Sequence, residues 1–186
     1  FRTAPPPPPP PKPAPEPKSQ SKAQDATVKG KPDPAALYAQ YLALGDVYEK
    51  RREHKKALLE YQRATLARQD AAAAHLSLAT VFTALSRYDA AAAALRDAAK
   101  ASGDRSLNSY DLKRLRTLAE DLSERLLTLK GWCKQNPKDA DARLLLGYHC
   151  LLAERTEEAR KILGTILEAS PEDPAAAYLL RQIGKS

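Results

Sequence analysis

With 186 residues, only seven glycines, few aromatics and abundant Ala, Leu, Glu, Lys and Arg, the composition favours helices over strands. No apolar run approaches the roughly 18 residues that a membrane-spanning helix needs. The net charge of +7 raises nucleic-acid binding, but the stretch up to Pro34 holds six of the 30 basic residues and three of the 23 acidic ones, and the remaining charges are mixed along the chain.

The first thirty or so residues hold almost nothing large and apolar and cannot contribute a core. Pro5 to Pro17 are nearly all proline, broken by Lys12, Ala14 and Glu16. Proline fixes φ and removes the amide donor, so this stretch is predicted to be extended polyproline II, reaching roughly 40 Å at about 3.1 Å per residue. Lys18 to Lys31 are polar and without periodicity, which predicts a flexible linker. The stretch reads as a semi-rigid spacer; the competing reading, a ligand for proline-binding modules through Pro8-x-x-Pro11-Lys12, matches any polyproline run by default. The lack of methionine leads us to expect that Phe1 is a cut end, with any signal peptide or anchor lying upstream.

From about residue 38 a repeat is legible. Tyr41-Leu-Ala-Leu-Gly45-Asp-Val-Tyr48 is answered by His75-Leu-Ser-Leu-Ala79-Thr-Val-Phe82 and by Arg143-Leu-Leu-Leu-Gly147-Tyr-His-Cys150. The small central residue falls at 45, 79 and 147, one and two copies of a 34-residue period. A second set keeps the same phase: Ala57, Tyr61, Ala64; Ala91, Leu95, Ala98; Ala159, Leu163, Ile166. The pattern predicts helix pairs in which the small residue of the first helix faces the leading alanine of the second, letting two backbones cross closely. Leu44, Tyr48 and Tyr61 fill the first crossing, and Leu78, Phe82 and Leu95 the second. Such hairpins must stack to bury both faces. Ser86-Arg-Tyr-Asp89 and Glu154-Arg-Thr-Glu157 place oxygen caps or acids at helix starts. Asn136-Pro137-Lys-Asp139 and Ser170-Pro171-Glu-Asp173-Pro174 mark unit ends, with Asp as cap and Pro174 at a first helical position. Lys50-Arg51-Arg52 and Lys55-Lys56 lie at a helix junction, where cations complement the dipole of the first helix.

These residues resemble tetratricopeptide repeats, whose signature is an aromatic, Leu-Gly, Tyr, then Ala, an aromatic, Ala and Pro. The resemblance covers roughly residues 35 to 186. His75 and Arg143 depart from it at the aromatic position, Ala79 replaces Gly, and Gln69 and Gly103 stand where the closing proline belongs. It implies an all-α solenoid over residues 34–186 behind a proline-rich linker at 1–33. Its units fall at about 38–71, 72–105, 106–139 and 140–173, with a capping helix at 174–184. The third unit is irregular, because Lys113 and Arg125 stand where small residues should touch. Leu115, Leu118, Leu122, Leu126, Leu129 and Cys133 still keep a three-four spacing, which suits either a hairpin turning near 118–121 or one long helix; the phase restored at Pro137 favours the hairpin. Trp132 is expected to be core filler, with an exposed docking anchor as the second reading.

The resemblance also implies a protein-binding groove lined by the first helix of each unit. Its matching positions are Leu42, Asp46 and Glu49; Leu76, Thr80 and Thr83; and Leu144, Tyr148 and Leu151. Leu42, Asp46 and Leu76 replace the Lys, Asn and Arg clamp with which relatives grip terminal carboxylates, so chaperone-tail recognition is not expected. The groove instead grades from acidic to apolar, which suits a helix or extended peptide with an apolar stripe and a basic end. A second reading has the irregular third unit covering Leu144, Tyr148 and Leu151.

Catalysis, a metal and a cofactor are not expected: His54, His75 and His149 fall in different units, without a catalytic neighbour at useful spacing, and no phosphate-binding glycine loop is present. Cys133 and Cys150 match no metal spacing and read as small core residues. The expected role is an adaptor for a peptide or helical partner, the alternative a structural subunit embedded in a larger assembly. The proline strut and alanine-rich repeats suit a bacterial envelope protein, with the cytoplasm as the alternative.

Overall fold

The computed structural model describes residues 33–103, 105, 109–118 and 121–183. The predicted proline strut lies outside the described residues. Among those described there are nine helices and no strand: α1 (Pro34–Lys50), α2 (His54–Ala67), α3 (Ala72–Ala84), α4 (Tyr88–Ser102), α5 (Ser109–Leu118), α6 (Leu122–Gln135), α7 (Ala140–Leu152), α8 (Thr156–Ala169) and α9 (Pro174–Ile183). None is long and apolar enough to cross a membrane. Two helix starts, at Asp139 and Asp173, carry the predicted caps, whereas α4 and α8 begin without a side-chain cap bond and keep only the predicted acids Asp89 and Glu157 in their first turns. Asp33 Oδ1 accepts from the Ala35 amide ahead of Pro34, Asp139 Oδ1 from Ala142, and Asp173 Oδ1 from Ala175 and Ala176.

The three regular hairpins turn in the same way. Arg52, Ser86 and Glu154 adopt left-handed φ values of 57°, 56° and 58°, and they recur at the 34-residue phase of the small residues. In each turn the following amide reaches back to the first helix: Glu53 to the Tyr48 carbonyl, Arg87 to Phe82 and Arg155 to Cys150, all at 2.9 Å. This is the Schellman closure of a helix end. It is made without glycine, so each site carries the steric cost of a side chain at positive φ.

Within the hairpins α1 packs on α2, α3 on α4 and α7 on α8. Ala57, Ala79, Ala91 and Ala159 are fully buried. The residues lying on the glycines differ from those predicted, being one helical turn further along the second helix. A methyl added to Gly45 would sit 2.4 Å from Tyr61 Cε1, and one on Gly147 would sit 2.8 Å from Leu163 Cδ2. The glycines therefore seat an aromatic ring and a leucine directly on the first helix.

The stack is regular at both ends and broken in the middle. The second helix of one unit packs on the first of the next for α2 on α3, α6 on α7 and α8 on α9. Helix α4 instead packs against both α7 and α9. Arg96 of α4 fixes this arrangement, reaching Asp141 of α7 at 2.9 Å and the α9 cap Asp173 at 3.1 Å. The irregular segment is two helices interrupted between Leu118 and Leu122, and α5 rests on α1 and α7 rather than closing a hairpin with α6. Trp132 is 41 % exposed at the rim, edge-on to Tyr88 at 5.3 Å, with its indole donating to Asp139 at 2.8 Å. It is not the core filler expected.

Gly45→Ala gains helix propensity but forces Tyr61 off its seat, and it should destabilise by about 1–2 kcal/mol net. Gly164→Ala, where a methyl meets nothing within 4 Å, should stabilise by about 0.5–1 kcal/mol. Urea unfolding of both variants checks the sign of each.

Candidate functional site

The chain itself covers most of the nine expected groove residues. Leu42 and Asp46 are half-buried; Glu49, Leu76, Thr80, Thr83, Leu144, Tyr148 and Leu151 are buried. The first helices α1 and α3 form one wall, and α5, α6 and α7 lie against it. The Tyr148 hydroxyl of α7 reaches α3, lying 3.1 Å from Thr80 Oγ1 and donating to the Leu76 carbonyl at 3.2 Å. Thr83 turns its hydroxyl back to the Ala79 carbonyl at 2.8 Å.

Asp46 and Glu49, the acidic end of the predicted groove, each receive an arginine from the irregular unit. Arg114 of α5 donates to Asp46 and, at 2.7 Å, to Ser77 Oγ. The Tyr61 hydroxyl donates to the same carboxylate at 2.9 Å. Burial works against the Arg114 charge, yet the Asp46 carboxylate more than offsets it and raises the guanidinium pKa. Burial, with Asp46 beside it, pushes the Tyr61 hydroxyl far above the usual tyrosine range. Arg125 of α6 donates to Glu49 at 2.9 Å and to the Thr80 carbonyl at 3.0 Å, with its Nε 2.6 Å from Asp121. The second Glu49 oxygen lies 2.9 Å from His54 Nδ1. Sequence reasoning marked Arg125 only as a misfit at a small-residue position and did not foresee Arg114; both cations sit among the leucines of an otherwise apolar stripe.

The histidines and cysteines have structural surroundings. His75 lies 3.3 Å from the Gln69 carbonyl. His149 is fully buried, its Nδ1 donating to the Leu145 carbonyl at 3.0 Å. Cys133 and Cys150 are free thiols, and burial pushes Cys150 up to about 11. Among the described residues no cluster of three or more His, Cys, Asp and Glu side chains suits a metal ion.

Two predictions follow from the buried charges. Glu49→Gln leaves Arg125, whose side chain is 6 % exposed, with Asp121 as its one remaining carboxylate partner among the described residues, and should cost about 3 kcal/mol. The double replacement Glu49→Leu with Arg125→Met should cost clearly less than the two single changes summed, as read from a double-mutant cycle in urea. Burial, opposed by the Leu145 hydrogen bond and aided by Arg125, holds the His149 pKa at about 4. Below its usual pKa the unfolded chain therefore binds a proton that the folded chain refuses. Stability is full above pH 6.5 and should fall by about 3 kcal/mol as the pH drops towards 4. His149→Leu should flatten that part of the profile.

Comparison with known proteins identifies the repeats. Tetratricopeptide-repeat models match residues 42–106 and residues 119–183. The two matches fall on either side of α5. Curated proteins give no match. Similar solved structures include the second TPR domain of human RPAP3 in complex with an HSP70 peptide, 16 % identical, covering 82 % of this chain and 99 % of that one, at a TM-score of 0.41. They also include YrrB, a TPR protein with an unusual peptide-binding site, at 21 % identity, 78 % and 75 % coverage and a TM-score of 0.35. A third is pilF of Pseudomonas aeruginosa, at 19 % identity, 81 % and 68 % coverage and 0.38. On the two family matches and the helix pairs that they cover, this chain belongs to the tetratricopeptide-repeat proteins.

Proposed function

We propose that the chain is a protein-interaction adaptor that receives a segment of a partner protein in the cleft of its repeats, with the proline-rich stretch as the spacer that carries it. The binding surface is drawn from the nine first-helix residues, with Asp46 selecting a cation, Leu76, Leu144, Tyr148 and Leu151 the apolar side, and Glu49 holding Arg125 at its inner end. The observation that supports this reading is what the acids already hold: arginines on amphipathic helices, which is the recognition chemistry of a polypeptide segment. The mixed lining of the cleft disfavours a phosphate backbone as the ligand.

A second reading, a subunit held permanently in a larger assembly, is supported by α1. Its outward face leaves Leu44 and Val47 36 % and 42 % exposed where a repeat stack would place a preceding helix. A monomeric, soluble chain on size-exclusion chromatography argues for the adaptor; self-association that Leu44→Glu abolishes argues for the subunit.

The adaptor reading is tested by displaying helical segments of about four turns against the full chain. Retained sequences are expected to combine an apolar stripe with an arginine or lysine, and Asp46→Asn should weaken them by at least about 10-fold. If nothing is retained, or if retention is indifferent to Asp46, the adaptor reading falls.

A further inference from the structure

The two helices on the α1–α3 wall are held in different ways. Helix α6 packs along α7, and its Arg125 is tied to a backbone carbonyl of α3 as well as to Glu49. Helix α5 has ten residues and carries Lys113 where a repeat helix needs a small residue. Its principal contacts are with α1 and α7, so it is not stacked between its neighbours in sequence. Its ties include Arg114 on Asp46, Ser77 and the Ala73 carbonyl, the buried Leu115 and Leu118, Leu112 against the core, and an exposed Arg116–Glu154 pair at 2.8 Å.

The seat of α5 is also larger than α5. A cavity of about 360 Å³ opens between Asp46 and Lys50 of α1 and Lys113, Thr117 and Leu118 of α5. Another of about 410 Å³ lies beyond Leu118 towards Glu49 and Arg125. A third, of about 260 Å³, lies at the other end, between Tyr38 and Asp111. Both walls are fixed without α5. Helix α1 is held by α2, and α7 by α4, α6 and α8 together with the Tyr148 contacts to α3. With both walls held in this way, Asp46 faces the place that α5 fills.

We propose that α5 is a displaceable occupant of the cleft between α1 and α7. The partner that it stands in for is a helical protein segment with one arginine or lysine and two apolar residues at the spacing of Arg114, Leu115 and Leu118. The proposal rests on the adaptor reading and adds its regulation: the closed chain holds its own mimic, and a partner binds by exchanging with it. Charge complementarity selects this occupant, because the cation meets Asp46 beside Ser77 and Tyr61, and a neutral helix would cover the half-buried carboxylate without replacing the arginine that it holds.

Hydrogen exchange read by mass spectrometry on the full chain tests this. In Arg114→Gln, amides of residues 112–118 should exchange at least about 10-fold faster than in the wild type, with α3 and α7 unchanged. Arg114→Lys should restore most of the protection. A capped peptide of residues 109–118 should bind the Arg114→Gln chain at least about 10-fold more tightly than the wild type, and adding Asp46→Asn should abolish the gain. Exchange of α5 only together with α3 and α7, or equal peptide binding by both chains, overturns the proposal. So does a dimer in Arg114→Gln that exchanges its own α5 between copies. Displayed segments that depend on Asp46 while α5 opens only globally would leave the adaptor reading standing and remove the displaceable helix. Local opening of α5 with no displayed segment retained would do the reverse.

Discussion

A carboxylate buried against an arginine from a distant part of the chain is the contact on which the rest of this domain depends. Such a pair gives little net stability over an apolar pair of similar volume, because both ions lose their water. Its force is in selection. Once Glu49 is 1 % exposed, any arrangement that leaves it without Arg125 is severely penalised, and two residues 76 positions apart must be brought together to satisfy it. The leucines around it accept many registers; the ion pair accepts one.

That constraint accounts for the break in the stack. A regular third unit would present its first helix to α4 and leave the faces of α1 and α3 open. Here Lys113 cannot enter a close crossing, so α5 leaves the position that the period assigns to it and crosses to α1. The face of α4 is then free to meet α7 and α9, where Arg96 links two helix N-termini through Asp141 and Asp173. The faces of α1 and α3 that a regular stack would leave open are instead met by Arg114 of α5, Arg125 of α6 and Tyr148 of α7.

The parts that were legible in the sequence are those whose cause is local. Asp139, Asp173 and Pro174 announce helix starts, and Gly45, Ala79 and Gly147 announce close contacts, because each acts within a turn or a hairpin. The facing residue was misplaced by one turn, since Tyr61 and Ala57 lie on the same side of α2 and spacing alone does not say which lies over Gly45. The left-handed residues at 52, 86 and 154 kept the period but carried no glycine to mark them. The filling of the cleft was legible as one of two readings, the irregular third unit lying over Leu144, Tyr148 and Leu151, but not through the two arginines that hold that unit on α1 and α3. Their partners, Asp46 and Glu49, lie more than sixty residues away, and nothing in a one-dimensional pattern pairs them.

The same two pairs also explain why the cleft divides into a permanent part and an exchangeable one. Arg125 is bound on several sides, by Glu49, Asp121 and the Thr80 carbonyl, on a helix that is itself packed along α7. A ligand supplying one cation cannot reproduce that set, so this end of the cleft is structure. Asp46 asks for less: one cation, a hydroxyl already supplied by Tyr61, and apolar cover of the kind that two leucines provide. Any helix with those features meets the demand as well as α5 does. Specificity at such a site comes from the carboxylate, because a segment without a cation must cover Asp46 with only the Tyr61 hydroxyl to meet its charge, a cost that two apolar contacts have to offset.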